Sequence, residues 1–159
     1  MLLNGIKNRF ELNIVNYEFP KAKNEKWDAD WLNIKIKVKS SKGSWKATDS
    51  MLLTWEIDWL IKWLEDIFTN VEKEKELDFM EPSLKFVKIK ETRNKAFIRI
   101  YFELEARPKW AESNIAGKED LWVDVTPSLE ELTKTIKNLK KQRKKYPTRV
   151  PMEKGIEIC

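Results

Sequence analysis

Apolar and polar residues alternate along two stretches near the start of the chain. Phe10, Leu12 and Ile14 recur within residues 10–17, and within residues 31–39 Leu32, Ile34, Ile36 and Val38 oppose Asn33, Lys35, Lys37 and Lys39. A period of two sends neighbouring side chains to opposite sides of a strand, so both stretches are expected to be strands wet on one face. The charged, aperiodic residues 20–30 between them are expected to form a loop. Ser40, Ser41, Lys42 and Gly43 supply turn chemistry leading into a short strand over residues 44–48, which closes a hairpin.

Over residues 52–68 the period changes to 3.6, and Leu53, Ile57, Leu60, Ile61, Leu64, Ile67 and Phe68 form one stripe of a helix. Thr54 is the expected N-cap, with Glu56 and Asp58 in the first turn, where the helix dipole favours negative charge. Residues 77–80, 84–91 and 95–105 read as strands, the last two turning through Arg93 and Asn94. Residues 107–118 read as a loop and 121–125 as a short strand. A second helix opens either with Thr126 as N-cap and Pro127 at its first position, or with Ser128 and Glu131 as a capping box. Its apolar residues are Leu129, Leu132, Ile136 and Leu139, its basic end runs from Lys140 to Lys145, and Pro147 stops it. No repeat or linker divides the chain. The expectation is one domain, residues 1–159, of the α+β class: a single antiparallel β-sheet with two α-helices packed on one face.

The first helix also carries Trp55, Trp59 and Trp63 at four-residue steps, with Trp55 nearly opposite the centre of the core stripe. One sheet cannot cover both sides. Leaving about 300 Å² of indole surface in water would forgo about 7 kcal/mol at ~25 cal/mol per Å². Either the second helix or the C-terminal segment covers these rings, or a binding partner does.

Composition narrows the function classes. The chain has no histidine, which removes the commonest general base, the commonest zinc ligand and every Ser-His or Cys-His nucleophile. No catalytic residue, metal site or cofactor is assigned, and a non-catalytic protein is expected. The one cysteine, Cys159, excludes an intramolecular disulfide and suits a reducing compartment. Residues 1–6 are too short for a secretory apolar run, and no stretch approaches the roughly 20 apolar residues of a membrane span, so a cytoplasmic location is expected. Nothing sets the oligomeric state.

The net charge of +5 invites a second reading, a basic nucleic-acid-binding module using a Lys-rich strand face. Lys35, Lys37 and Lys39 share one face, and Lys88 and Lys90 share another. Residues 95–102 echo an RNA-recognition pattern in Lys95, Phe97 and Phe102, but they lack its glycines and place Arg99 where an aromatic would stack. Nucleic acid is therefore not the expected partner. Asp28 and Asp30 would hold a hard cation only if the fold brought Asp49 or Glu56 beside them.

Five spaced blocks carry a family likeness: Asn16-Tyr17-Glu18-Phe19-Pro20; Lys26-Trp27-Asp28-Ala29-Asp30-Trp31-Leu32; Gly43-Ser44-Trp45-Lys46-Ala47-Thr48-Asp49; Leu52-Leu53-Thr54-Trp55-Glu56; and Trp63-Leu64-Glu65. Across residues 14–68 the chain resembles WapI-type immunity proteins, small bacterial proteins often encoded beside contact-dependent toxins. In that family the second block usually reads Trp-Asp-Ala-Asn-Trp-Leu, whereas this chain has Asp30. The change matters if that side chain works through its amide, and not if it only accepts hydrogen bonds. The resemblance implies a protein that binds a cognate toxin domain, a tRNA-cleaving one being a candidate, and blocks it without chemistry. The partner surface is expected to include Trp27, Asp28, Asp30, Trp31, Asp49, Trp55, Glu56 and Trp59. A basic inhibitor of a nuclease is unusual, so either the contact is locally acidic, from Glu25, Asp28, Asp30 and Asp49 or from Glu56, Asp58, Glu65 and Asp66, or the surface bound is not the toxin's active site.

Overall fold

A computed structural model describes residues 1–69, 74–111 and 120–150. In chain order the elements are β1 (Leu2–Asn4), β2 (Arg9–Tyr17), β3 (Trp31–Ser40), β4 (Gly43–Leu53), α1 (Thr54–Asp66), β5 (Glu76–Leu77), β6 (Leu84–Glu91), β7 (Ala96–Phe102), β8 (Leu121–Val125) and α2 (Leu129–Lys145). Cys159 and most of the expected loop at 107–118 lie outside the described residues.

Among the described residues the strands form two four-stranded antiparallel sheets, β1-β2-β3-β4 and β5-β6-β7-β8, so the expected single sheet is incorrect. The reason lies at α1. The chain leaves β4 directly into the helix, and the strands that follow build a new sheet. Alternation shows only that a strand has a dry side, and a second sheet covers that side as well as helices do. Phe10 on β2 meets Phe86 on β6 edge-on at 5.9 Å and Phe102 on β7 at 6.0 Å. Trp45 on β4 packs on Phe102 at 5.1 Å and donates its indole N–H to the Ala106 carbonyl.

Two features join the sheets along the β1 side. The Thr126 N–H donates to the Asn4 carbonyl at 2.8 Å, and the Asn8 amide donates to the Asp124 carbonyl at 2.9 Å. A Cβ on Gly5 would lie 2.4 Å from the Asp124 carbonyl oxygen, so this approach requires glycine.

The helices lie against each other, and α2 also lies against β1 and β2. Gln142 accepts a hydrogen bond from the Ile14 N–H at 2.7 Å, and the Thr135 hydroxyl donates to the Leu2 carbonyl. Ile57, Leu60 and Leu64 of α1 and Leu132 and Leu139 of α2 join one continuous buried core with both sheets. The second of the two possible starts of α2 is the one used: Ser128 Oγ accepts from the Glu131 N–H at 3.1 Å.

The start of α1 departs from expectation. Met51, Leu52 and Leu53 are fully buried and extend β4 to Leu53, which pairs with Trp31 and becomes the N-cap in place of Thr54. The tryptophans are covered as well. Trp55 is 8% exposed and Trp59 and Trp63 are half-buried. The Trp63 ring lies 6.1 Å from Phe86, and its N–H donates to the Glu74 carbonyl. The second sheet covers Trp63 through Phe86, whereas Trp55 is met by Trp27 from the loop between β2 and β3.

Candidate partner-binding site

The hydrogen bonds from the Ala29 N–H to the Glu25 carbonyl (3.1 Å) and from the Asp30 N–H to the Trp27 carbonyl (2.9 Å) wind residues Asp28–Asp30 into a turn of 3-10 helix. Trp27, just before it, has φ +74°, a left-handed conformation that a bulky L-residue seldom adopts. Such a residue costs of order 1–3 kcal/mol and persists only where its surroundings hold it. The Trp27 ring meets Trp55 edge-on at 5.5 Å, yet remains 40% exposed, and Asp28 beside it is exposed.

Asp30 points the other way and is fully buried. Its Oδ1 accepts from the Arg149 N–H at 2.7 Å and from the Thr54 hydroxyl at 3.3 Å, and its Oδ2 accepts from the Val150 N–H at 3.2 Å. Every partner is a donor, so this position works only by accepting, and a carboxylate serves it with both oxygens. The departure from Asn is thereby accounted for.

Glu56, also fully buried, sits in the first turn of α1. Its Oε1 accepts from the Leu53 N–H at 3.0 Å and its Oε2 from the Met80 N–H at 2.7 Å. It therefore ties the helix to the chain that leads into the second sheet. Burial pushes its carboxyl above the ordinary glutamate range, against the pull of the two N–H donors. Replacing Glu56 with Gln is expected to destabilise the fold by about 1–3 kcal/mol, because an amide accepts from only one of the two buried N–H groups. The pH dependence has a definite sign. With a folded pKa above the unfolded one, the glutamate contribution is fully present below the unfolded pKa and declines as pH rises through the folded pKa. The gap in urea midpoint between wild type and E56Q should therefore narrow from mildly acidic to neutral pH.

Trp27, Asp28, Asp30, Trp55 and Glu56 thus converge at the N-terminal end of α1. Half-buried Trp31 begins β3 beside Leu53, and half-buried Trp59 lies one turn further along α1. Asp49 is not brought together with them: it pairs with Ile34 within the sheet, and its carboxylate accepts from the Ser50 N–H at 2.6 Å. Met80, 54% exposed, and Phe19, 43% exposed, were missed as site residues. Met80 carries no local signal, because its bond to Glu56 joins residues 24 apart in the chain.

Local acidity is thinner than expected. Glu25 and Asp28 are exposed among exposed Lys21, Lys23 and Lys26, while Asp58 and Glu65 pair with Arg143 (3.0 Å) and Lys140 (2.5 Å) of α2. Among the described residues no three Asp, Glu, Cys or His groups cluster as metal ligands. Lys37 and Lys39 are exposed on the outer face of the first sheet, Lys35 is half-buried there, and Lys37 pairs with Lys46. Lys88 and Lys90 are separated by a register shift. Lys88 turns to the Ile67 carbonyl at the end of α1, and Lys90 lies over Phe97.

The arrangement is that of an α+β protein of two sheets and two helices, with an exposed indole and an exposed carboxylate on the turn at this end. The chain matches the Immunity protein WapI-like family over residues 1–147 and belongs to that family. No curated protein and no solved structure matches it. No helix among the described residues is long and apolar enough to cross a membrane.

Proposed function

We propose that the protein binds a cognate toxin domain and blocks it by occupying its surface, without chemistry of its own. Membership of an immunity family across residues 1–147 is the observation that carries this reading. The geometry supports a contact centred on Trp27 and Asp28, with Phe19, Met80 and the outer edges of Trp31 and Trp59 around it. Trp27 is the natural anchor: it is exposed, aromatic and held in a strained conformation, the combination typical of interface hot spots. Asp30, Trp55 and Glu56 are buried and act beneath that surface as its support.

A tRNA-cleaving toxin is the candidate partner; the exposed charges around Trp27 are mixed, Asp28 and Glu25 among Lys21, Lys23 and Lys26, so the indole and not an acidic patch centres the contact. Co-expression with a cognate toxin domain is expected to restore growth of cells that the toxin alone arrests. Continued arrest with the protein present in folded form would refute the reading.

A further inference from the structure

We infer that residues 148–150 form a strap that fixes the Trp27 turn in its binding conformation, with Arg149 and Asp30 as its positioning residues. The inference rests on the reading of that turn as the partner surface. The strap begins where the family match ends, just after Pro147.

Pro147 follows the end of α2, and the Tyr17 hydroxyl donates to its carbonyl at 2.6 Å, turning the chain back over the loop between β2 and β3. Arg149 then ties down that loop along its length. Its Nε donates to the Ala29 carbonyl at 2.5 Å, Nη1 to the Pro20 carbonyl at 3.0 Å and Nη2 to the Phe19 carbonyl at 2.9 Å. The guanidinium also lies 3.8 Å from the centre of the Tyr17 ring. One side chain thus satisfies carbonyls near both ends of the loop of residues 18–30, which has few backbone bonds of its own.

The strap is held in return. Its Arg149 and Val150 N–H groups both donate to the Asp30 carboxylate. The Thr148 hydroxyl accepts from Arg143 at 2.9 Å, which leaves its own hydrogen for Thr54 Oγ1 at 2.9 Å, and the Thr54 hydroxyl donates to Asp30. Donors therefore run in one direction, from the end of α2 through the strap and the first residue of α1 to Asp30. The same carboxylate ends the turn of Asp28–Asp30, and Trp27, just before that turn, carries the strained backbone. Aligned chains of this kind brace their ends more firmly than isolated bonds do.

Hydrogen exchange on the full chain, with Arg149→Ala and Arg149→Lys compared with wild type, tests the strap without any partner present. Lysine keeps the charge and loses the planar fork that reaches three carbonyls. Both variants should raise amide exchange within residues 19–30 by at least about tenfold while leaving β2 and β3 protected. Unchanged exchange in that segment, or a uniform rise through β2 and β3 in both variants, would overturn the proposal. With a purified cognate toxin domain as probe, Arg149→Ala should bind at least about tenfold more weakly than wild type, the ordering cost now falling on the complex. Raised exchange with affinity equal to wild type would overturn the positioning role. Failure of the wild type itself to bind would count against the function proposed above, and the exchange result would still decide whether the strap exists.

Discussion

Replacing Phe10 with alanine is expected to destabilise the protein by about 3–5 kcal/mol, the usual cost of emptying a buried phenylalanine site. For a chain of this size that corresponds to a fall in melting temperature of the order of 10 °C. The size of the effect follows from where the ring sits. Phe10 is fully buried and touches Phe86 and Phe102, so its removal opens a cavity between the two sheets and not under one of them. Val15, five residues on and 42% exposed, is the control, and its alanine variant should stay within about 0.5 kcal/mol of wild type. A double-mutant cycle on Phe10 and Phe86, read from denaturant midpoints, should show a coupling of roughly 0.5–1.5 kcal/mol. Additive effects would mean that the two rings do not meet.

Replacing Trp27 with alanine is expected to weaken toxin binding by about 2–4 kcal/mol, roughly 30- to 1,000-fold, with a much smaller effect on folding. The fold loses an edge contact with Trp55, worth about 0.5–1.5 kcal/mol, and the burial of the covered part of the ring, the rest of which is already in water. The complex would lose its central anchor. Lys37→Ala, on the outer face of the first sheet, should leave affinity within about twofold of wild type. A Trp27 variant that loses stability and keeps its affinity would make the indole a cover for Trp55 and nothing more.

The residues that spoke most clearly in the sequence were those whose partners lie nearby in the chain. The alternation in residues 31–39 and 84–91, the five residues of β8 and the polar start of α2 each announce themselves locally, and the structure keeps them with small changes of boundary. Sheet assignment did not announce itself. Nothing in the pattern around Phe10 distinguishes a ring awaiting a helix from a ring awaiting Phe86, since both coverings demand the same dry face. The tryptophan stripe of α1 misled in part for the same reason: the second sheet reaches Trp63 through Phe86, while Trp55 is buried with Trp27 of the loop between β2 and β3 against it.

At the site, the family blocks pointed to Trp27, Asp28, Asp30, Trp55 and Glu56, which do converge. Their division of labour was hidden. Asp30 and Glu56 looked like surface acids and prove to be buried acceptors of backbone N–H groups from residues 149, 150 and 80, contacts over separations that no local pattern encodes. Met80 and Arg149 were invisible because their importance comes from the groups they reach. The four-residue step that placed Trp59 beside Trp55 on α1 was legible, whereas the absence of Asp49 from the cluster depends on strand register, which alternation alone does not fix.

The most direct test of the account is calorimetric titration of the purified protein, in wild-type and Trp27→Ala forms, with a cognate toxin domain. The account predicts a saturable one-to-one complex for the wild type and a loss of affinity of roughly 30-fold or more for the variant. No complex between the folded partners, or equal affinity for both forms, would contradict it.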